Sequence, residues 1–522
     1  MPRWLDLVLT HPRKTALVLG VLAATGFQPL GLWPLTLLAL AGLIALVRRA
    51  PGWKQAALIG WCFGLGHFSL GNNWIATAFT YQANMPAWLG WVAVVLLSLY
   101  LAVYPALAAV IGWQARRSGA GLVLTFAAGW IVSEWLRGWV FTGFAWNPLG
   151  VAALGGFDRP GLALLLPWLG TYALSGLVIL LAGCWWQAGM RGQRDLRGAA
   201  LILVSLVAVL APQAVQPQAE LSARRYTLVQ PDIRQDVLND PAWFEWQFQR
   251  YAELSRPRPG DGKRLVLWSE SGVPDYLRGG YPERYYFDTF GNDPALARAR
   301  LARVIGSDAM LLTGTVDLEF KRGQVVGARN AVTALDGTGA IRGSYAKAHL
   351  VPYGEYLALR WLLEPLGVAR LVPGGIDFWP GPGPQTLDLG ELGAVGVQIC
   401  YEIIFSGEVV DPRHRPDFLF NPSNDGWFGA WGPPQFLAQT RLRAIEEGLP
   451  VLRSTTTGIS AVIDGRGVVR QHVPRLVPGR LDGQVPVALA PTLFSRLGNM
   501  LPLGWAILLL VAGVVASRSR RS

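Results

Sequence analysis

The sequence predicts a two-part fold: a membrane α-helical bundle of about eight transmembrane helices, and one large α/β domain. Composition favours a membrane protein, because 52% of the 522 residues are hydrophobic and only 15% are charged, whereas about a quarter are charged in an ordinary soluble domain. Long uncharged stretches also flank a polar segment at residues 214–497. That segment alternates short β-branched runs with amphipathic windows, which is typical of an α/β domain.

The uncharged stretches give the number of helices, since a helix needs roughly 20 apolar residues to cross a bilayer. Asp, Glu, Lys and Arg are absent from residues 15–47, 55–115, 160–190, 198–219 and 497–517. A further apolar run, residues 120–136, contains the single acid Glu134. The first stretch is broken by "QPLGLWP" into a hairpin, and the second is long enough for two helices. The predicted total is eight spans.

The basic residues test this count, because cytoplasmic loops collect Lys and Arg. With eight spans and the N-terminus inside, the short loops on the opposite side hold only Arg137 and Arg159. A single first span would place Lys14 and Arg48 on opposite sides of the membrane, so the hairpin is preferred. The net charge of +12 is then largely a topology signal, and a nucleic-acid partner is not predicted because the basic residues do not cluster on one domain.

The predicted organisation follows from this topology. Transmembrane helices 1–7 occupy residues 1–213, the outer domain occupies 214–497, and helix 8 with a basic cytoplasmic tail occupies 498–522. In a bacterium the chain is then a multi-pass protein of the inner membrane, and its outer domain is periplasmic.

Within the outer domain, seven apolar runs predict strands and three windows predict helices. The strand candidates begin at Arg225, Arg264, Ala309, Arg329, Ala394, Asp417 and Ile459, and the helix candidates span residues 240–256, 292–306 and 434–448. A Gly- and Pro-rich stretch at residues 356–385 interrupts this alternation. It is predicted to be a lid or arm that dips into the membrane interface, and packing in the domain core is the alternative.

Cys400 ends the apolar run "AVGVQIC", so burial as a small hydrophobic residue is one interpretation. The other cysteines, Cys62 and Cys184, lie in predicted spans, which leaves one unpaired thiol in a domain assigned to an oxidising compartment. A thiol in that setting needs a chemical reason, and this favours a nucleophile. A metal site is not predicted, because metal-ligand spacing is absent among the outer histidines, His349, His414 and His472.

Three charged residues are candidate partners for this thiol. Glu270 ends the apolar run "LVLWSE", and Lys347 and Glu355 lie eight residues apart in "KAHLVPYGE". Each has an ordinary interpretation when taken alone. A carboxylate at the end of a strand is commonly a solvated cap or part of a structural ion pair, and a lone lysine is commonly a surface charge.

Together these residues resemble the Glu, Lys, Cys triad of the nitrilase, or carbon–nitrogen hydrolase, superfamily, in the same chain order. The motifs that carry the resemblance are "WSES" at 268–271, "YAKAHLVPYGEY" at 345–356 and "ICYE" at 399–402. Three further segments are similar to the bacterial apolipoprotein N-acyltransferase family: "EWLRGWVFTGFAWNPLG" from 134, "NPSNDGWFG" from 421 and "RLRAIEEGLPVLRSTTTGISAVID" from 441. The resemblance covers nearly the whole chain.

The resemblance implies an αββα sandwich as the outer domain. It also implies transfer of an acyl chain from a membrane phospholipid to the N-terminal amine of a diacylglyceryl-cysteine apolipoprotein, the last step of lipoprotein maturation. In this reaction Glu270 would be the general base, Lys347 would stabilise the oxyanion, and Cys400 would hold the acyl chain as a thioester. Such a covalent relay divides the transfer into two steps and predicts ping-pong kinetics. No cofactor is implied, and the chain is expected to act as a monomer.

Supporting residues are implied as well. Glu355 would orient Lys347 or Glu270, while Tyr401 and Glu402 would shape the pocket. Trp427 is a candidate for contact with acyl chains or the membrane interface. Where the family has a tryptophan soon after the first strand, this chain has a longer segment, and the candidates there are Trp243 and Trp246.

Other functions are weighed against this one. A membrane-tethered nitrilase-type amidase would use the same triad with water as the acceptor, and the sequence leaves that alternative open. A transporter is disfavoured because the predicted spans contain few polar residues. Glu134 and Arg137 lie one helical turn apart near the outer end of a span, where charged residues are costly. They would either contact a lipid head group or position the loop of residues 138–150.

Overall fold

The computed structural model describes residues 10–81, 86–191, 200, 202–203, 217–363, 365 and 376–518. The N-terminal part is helical, with α1 (Pro12–Ala24), α2 (Trp33–Arg49), α3 (Trp53–Gly71), α4 (Ile75–Ala78), α5 (Leu89–Leu101), α6 (Val103–Gln114), α7 (Gly119–Arg137) and α8 (Leu166–Arg191). The predicted hairpin is present, because a turn at residues 25–32 separates α1 from α2. These helices share one apolar core, so they form a bundle.

Four helical segments of the described chain are long and apolar enough to cross a membrane. They are residues 89–114, in which α5 and α6 follow each other, 119–137, 162–190 and 500–518. Helices α1 and α2, with 13 and 17 residues, are shorter than the roughly 20 residues of a full span. The span predicted at residues 198–219 lies mostly outside the described residues, so the count of eight stays a prediction.

Glycines let the helices of the bundle approach closely. A Cβ on Gly20 of α1 would lie 2.0 Å from the carbonyl O of Phe63, and a Cβ on Gly66 of α3 would lie 2.2 Å from the carbonyl O of Leu17. The two contacts are reciprocal, so α1 and α3 meet backbone to backbone. Close packing through small residues is the usual way in which helices associate in a membrane.

The outer domain contains two six-stranded sheets. The strands are β1 (Leu221–Gln230), β2 (Arg264–Leu267), β3 (Ala309–Lys321), β4 (Gln324–Asp336), β5 (Ile341–Ala346), β6 (Thr386–Asp388), β7 (Ala394–Val397), β8 (Phe418–Ser423), β9 (Val451–Thr455), β10 (Ser460–Ile463), β11 (Val469–Val473) and β12 (Gly479–Pro486). The first sheet has the order β12-β1-β2-β3-β4-β5, and the second has the order β11-β10-β9-β8-β7-β6. All seven predicted strands are present.

The remaining helices are α9 (Gln235–Leu238), α10 (Phe244–Ser255), α11 (Pro294–Ile305), α12 (Arg360–Leu363), α13 (Gly432–Glu447), α14 (Leu493–Leu497) and α15 (Met500–Arg518). Helices α10, α11 and α13 correspond to the three predicted windows. Asp293 accepts a hydrogen bond from the N–H of Ala295 and begins α11, as expected for an aspartate at an N-cap.

The two sheets are stacked between layers of helix. One apolar cluster contains side chains of both sheets, such as Leu228 and Leu267 of the first and Val397 and Phe420 of the second. The opposite face of the first sheet packs in a separate cluster with Tyr251 of α10 and Leu301 of α11. Helix α13 covers the second sheet. This is the αββα sandwich that the resemblance implied, and the segment predicted as an arm lies partly outside the described residues, at 364 and 366–375.

Helix α13 belongs to two cores at once. Phe436 and Leu437 pack in the core of the sandwich, whereas Ala438, Leu442 and Ile445 pack in the core of the bundle. A helix that is apolar on opposite sides must be buried between two bodies. The outer domain is therefore seated on the bundle through this helix.

Candidate active site

The three residues of the predicted triad lie close to the ends of strands. Glu270 follows β2, Lys347 follows β5 and Cys400 follows β7. The strand that holds Cys400 is shorter than its apolar run suggested: β7 ends at Val397, and a 3₁₀ turn begins at Cys400 itself. Cys400 has a φ of 51°, in the left-handed region. The thiol is therefore carried by a sharp turn that follows a buried strand.

The position of Glu270 depends on a close approach between the backbone that follows β2 and the neighbouring strand β3. A Cβ on Gly314 of β3 would lie 2.5 Å from the backbone N of Ser271 and 2.8 Å from the Cα of Glu270. Only glycine at 314 lets the chain after β2 run against the neighbouring strand. The position of the Glu270 backbone is thus set by a residue 44 positions further along the chain.

A buried ion cluster joins the charged residues of the site. The Nζ of Lys347 lies 3.0 Å from Oε2 of Glu355 and 3.5 Å from Oε1 of Glu270. Asn330 of β4 donates from Nδ2 to Oε1 of both carboxylates, over 2.7 Å to Glu270 and 2.8 Å to Glu355. The N–H of Asn424 donates to the other oxygen of Glu270 over 2.8 Å. One lysine and two amide donors therefore hold the two carboxylates in place.

The electrostatics of this cluster act on Cys400. Burial and the nearby carboxylate of Glu270 raise the pKa of the Cys400 thiol, while Lys347 and a hydrogen bond with Ser423 oppose the rise. Burial alone would lower the pKa of Lys347, but Glu355 and Glu270 raise it above its ordinary value. The resting site thus holds a neutral thiol beside a lysine that keeps its charge. A base is needed to remove the proton, and the sequence predicts Glu270 for that role.

Glu402 ties the two loops of the site together. Its Oε1 accepts hydrogen bonds from Tyr345 Oη over 2.7 Å, from the N–H of Ala348 over 2.7 Å and from the N–H of His349 over 3.1 Å. Its Oε2 accepts one from the N–H of Ile399 over 2.7 Å. Burial raises the pKa of Glu402 to about 7. One side chain thus connects the backbone next to Lys347 with the backbone next to Cys400.

Tyr401 and Trp427 connect the site with the bundle. The hydroxyl of Tyr401 donates to the carbonyl O of Gly143 over 3.3 Å, in the loop after α7. The ring of Trp427 lies edge to face against the ring of Tyr81, with centroids 5.8 Å apart. The side chain next to Cys400 in the chain therefore touches the membrane part directly.

Trp243 has a different setting. Its side chain is 43% exposed and packs edge to face against Trp246. In the described part of the chain, no contact joins it to the ion cluster. Its role at the site stays a prediction.

Glu134 and Arg137 position the loop after α7. Oε1 of Glu134 accepts from Trp130 Nε1 over 2.9 Å and from the N–H of Leu149 over 2.7 Å. Arg137 donates to the carbonyl O of Trp146 over 2.7 Å. Both side chains are buried. These contacts agree with the second of the two predicted roles, the positioning of the loop.

Sequence reasoning missed the polar residues that support the triad. Asn330 lies inside a strand, in "RNAVTALD", and nothing in that pattern marks it as different from its neighbours. Asn424 acts through its backbone N–H, which carries no residue-type signal. Among the described residues, no group of three or more His, Cys, Asp or Glu side chains could hold a metal ion.

Fold and site together define the class of protein: a membrane-bound enzyme with a nitrilase-type domain, in which a buried cysteine adjoins a glutamate and a lysine. Such a group can form and break acyl bonds, because the thiol can become a nucleophile, the glutamate can take its proton, and the ammonium can stabilise an oxyanion.

Comparison with known proteins identifies the family. The apolipoprotein N-acyltransferase N-terminal domain matches residues 19–184, and the carbon–nitrogen hydrolase family matches residues 228–485. The apolipoprotein N-acyltransferase of Rhodopseudomonas palustris is 32% identical over 506 residues, covering 93% of this chain and 91% of that protein. That of Bradyrhizobium diazoefficiens is 33% identical, covering 99% of this chain and 97% of that protein. The chain belongs to the apolipoprotein N-acyltransferase family and is an acyltransferase.

Solved structures are more distant. The amidase from Nesterenkonia sp. AN1 covers 54% of this chain and 95% of its own, with 17% identity and a TM-score of 0.36. The family assignment therefore rests on the sequence relatives.

Proposed function

We propose that this chain transfers an acyl chain from a membrane phospholipid to the N-terminal amine of a diacylated apolipoprotein, with Cys400 as the nucleophile. The observation that carries the proposal is the buried cluster of Glu270, Lys347 and Cys400 in a domain seated on a membrane bundle. Family membership supplies the acceptor class, and the cluster supplies the chemistry.

In the first step Glu270 takes the proton of the Cys400 thiol, and the sulfur attacks the carbonyl carbon of the phospholipid ester. The carbonyl oxygen becomes an oxyanion, which the ammonium of Lys347 stabilises. The N–H of Tyr401 is a second donor, because the first N–H groups of a helical turn have no partner within the turn. Preorganised donors of this kind contribute roughly 3–4 kcal/mol each to lowering the barrier. The ester C–O bond then breaks, Glu270 returns the proton to the leaving lysophospholipid, and a thioester remains on Cys400.

In the second step the neutral N-terminal amine of the apolipoprotein attacks the thioester carbonyl. Glu270 accepts a proton from the nitrogen, the C–S bond breaks, and the thiolate of Cys400 is released and reprotonated. The lysophospholipid leaves before the amine attacks the thioester, so the reaction has two separate half-reactions and ping-pong kinetics are expected. Glu355 keeps Lys347 in position in both steps, since the Nζ of Lys347 lies closer to Glu355 than to Glu270.

The contact of the site with the bundle supports a lipid donor. The loop that accepts the hydrogen bond of Tyr401 also carries Trp139 and Phe141, whose side chains are exposed. Aromatic side chains favour the membrane–water interface. A diacyl lipid is held in the bilayer by roughly 0.8 kcal/mol for each methylene, so its ester must be attacked at this level.

The same proposal includes the topology. Eight spans, a helical part in residues 1–213, a catalytic domain in 214–497 and a last span with a basic tail in 498–522 agree with the distribution of Lys and Arg. The protein would lie in the bacterial inner membrane, with the catalytic domain in the periplasm, and would act as a monomer.

The test is a cell in which Cys400→Ala replaces the native protein and no other enzyme supplies the activity. Mass spectrometry of a lipoprotein's N-terminal peptide should then show two acyl chains instead of three. A third chain at the wild-type level would overturn the proposal. Cys184→Ala is the matched control, because Cys184 is a free cysteine within the bundle.

A second measurement separates transfer to an amine from hydrolysis. The purified enzyme is incubated with phospholipid alone and the mass of the Cys400 peptide is measured. A transferase accumulates the acyl thioester until an amine is added, whereas an amidase-type enzyme that uses water would release fatty acid continuously and leave Cys400 free.

A further inference from the structure

The short segment at residues 377–381 is hydrogen-bonded to both members of the buried ion pair. The N–H of Phe378 donates to the carbonyl O of Glu355 over 3.0 Å, and the N–H of Gly381 donates to that of Lys347 over 2.7 Å. Lys347 and Glu355 are also the two residues whose side chains pair over 3.0 Å. The backbones of both partners are therefore held by one piece of chain.

Lys347 is fixed from two sides. Its N–H donates to the carbonyl O of Asn330 in β4 over 2.8 Å, and its carbonyl O accepts from Gly381. A Cβ on Gly381 would lie 2.1 Å from the carbonyl O of Ala346, so only glycine lets the two backbones come this close. The peptide of Lys347 thus lies between β4 and the 377–381 segment.

The segment is itself bound to the edge of β4. The N–H of Trp379 donates to the carbonyl O of Ala328 over 2.7 Å, and the N–H of Ala328 donates to the carbonyl O of Asp377 over 3.2 Å. The side chain of Arg329 donates to the carbonyl O of Pro380 over 2.7 Å. The position of the segment is therefore set by β4.

The ring of Trp379 packs on bare backbone of the same strand. A Cβ on Gly327 would lie 2.4 Å from Cε2 and 2.5 Å from Nε1 of Trp379. A glycine inside a strand is typical of a place where another group approaches the backbone closely, and an aromatic ring over a strand glycine stabilises the pairing beside it. The ring therefore fixes the 377–381 segment on β4.

The backbone of Lys347 has to be fixed because its side chain is flexible. The ammonium is carried on a stem of four carbons, and a donor to an oxyanion acts only within a narrow range of distance. The stem is held at its far end by Glu355, whose own backbone is bonded to Phe378. Both ends of the lysine side chain therefore depend on the 377–381 segment.

We propose that Trp379 is a positioning residue for acyl transfer. Its ring holds the 377–381 segment on β4, and the segment holds Lys347 and Glu355 so that the ammonium lies where the oxyanion forms. The inference rests on the proposed role of Lys347.

The test is the rate of thioester formation on Cys400 in the full-length enzyme in detergent, measured by mass spectrometry after rapid mixing with increasing concentrations of phospholipid. In Trp379→Ala the rate at saturating phospholipid should fall about 100-fold, since a displacement of about 1 Å has an effect of that order. The half-saturating concentration should stay unchanged, because the change acts on the ammonium and not on lipid binding. Trp379→Phe keeps a ring over Gly327 and should recover most of the rate.

Gly327→Ala displaces the same ring without removing it. In the wild-type background its new Cβ meets Trp379, so thioester formation should slow. In the Trp379→Ala background the ring is gone, and Gly327→Ala should have no further effect. Independent effects of the two substitutions, which multiply in the double variant, would overturn the inference.

Phe287→Ala is the matched control. Phe287 is another aromatic residue of the outer domain, is 79% exposed and lies outside the 377–381 segment, so its variant should form the thioester at the wild-type rate. The inference is wrong if Trp379→Ala keeps the wild-type rate, or if it only raises the half-saturating concentration, which would make Trp379 a lipid contact. Failure of the proposed function would appear differently, as an absence of the thioester in the wild-type enzyme.

Discussion

Glu402 is the residue on which the geometry of the site depends most directly. All four of its hydrogen-bond partners are donors, three on the side of Lys347 and one on the side of Cys400. A carboxylate can accept all four, whereas a glutamine of the same shape must direct an N–H₂ group at one of these donors.

We therefore expect Glu402→Gln to separate the two loops and lower the rate of thioester formation by about 100-fold, since a displacement of about 1 Å has an effect of that order. The rate is measured by mass spectrometry after rapid mixing with phospholipid. Glu408→Gln is the control, because Glu408 lies six residues further on and is exposed. Thioester formation at the wild-type rate in Glu402→Gln would show that Glu402 does not position the loops.

At this scale the sequence predicted the charged residues but not their amide partners. Glu270, Lys347 and Cys400 were recognisable from their motifs, and the structure brings them into one cluster. Asn330 was not recognisable, because an asparagine in a strand has no pattern that distinguishes a support for two carboxylates from a turn or an edge. Its role arises only when β4 lies beside the loops that carry Glu270 and Glu355.

At the scale of elements, α13 carries the join between the sandwich and the bundle. Oε1 of Glu446 accepts from the N–H of Thr171 over 2.6 Å, in α8, and from Ser406 Oγ over 2.8 Å, in the outer domain. Oε2 of Glu446 pairs with Arg443 over 3.0 Å, and both side chains are almost fully buried. One ion pair thus connects three parts of the molecule.

Glu446→Ala should lower the stability by about 3–5 kcal/mol, because it leaves the Arg443 guanidinium buried without its counter-charge. The measurement is the midpoint of thermal unfolding in detergent. Glu245→Ala is the control: Glu245 also pairs with an arginine, Arg300, but is 62% exposed, so its loss should change stability by about 1 kcal/mol at most. Equal thermal unfolding midpoints for Glu446→Ala and Glu245→Ala would contradict the role of Glu446 in joining the sandwich to the bundle.

The strands that the sequence missed have physical reasons in common. β11 carries the exposed residues Gln471 and His472, and β12 carries the exposed residues Asp482 and Gln484, so "VRQHV" and "GRLDGQVP" have no apolar alternation. β9 is fully buried, yet Arg453 interrupts its apolar pattern, because the partner of that arginine, Asp425, comes from another strand end. A buried strand is therefore hard to predict from its own sequence when it carries a charged side chain whose partner lies elsewhere in the chain.

At the scale of the whole molecule, the orientation of the chain in the membrane is a prediction that labelling can test. In a chain with Cys62, Cys184 and Cys400 replaced by alanine, Ser307→Cys and Gln114→Cys each offer one exposed position, the first in the outer domain and the second at the last residue of α6. A membrane-impermeant maleimide added to spheroplasts should label the first variant, and should label the second only after the membrane is broken. The reverse result would invert the orientation.

Composition was enough to predict two parts, because the bilayer and the aqueous phase select different residues. How the parts meet was not predictable. The polar side chains of α13 are typical of a helix face exposed to water, whereas in the structure they contact loops of the bundle. Arg441, for example, donates to the carbonyl O atoms of Gly155, Gly156 and Arg159. Each of those acceptors is a backbone atom, which leaves no trace in residue types.

The position of α13 has a consequence for how such an enzyme can arise and be engineered. A helix shared by two cores cannot be exchanged as part of a cassette, since a soluble relative of the sandwich would bring a helix whose outer side is made for water. Conversely, the sandwich cut from its bundle would expose Leu442, Ile445 and the buried arginines of α13 together, and would aggregate. A substitution on α13 therefore has to fit the core of the sandwich and the core of the bundle at the same time.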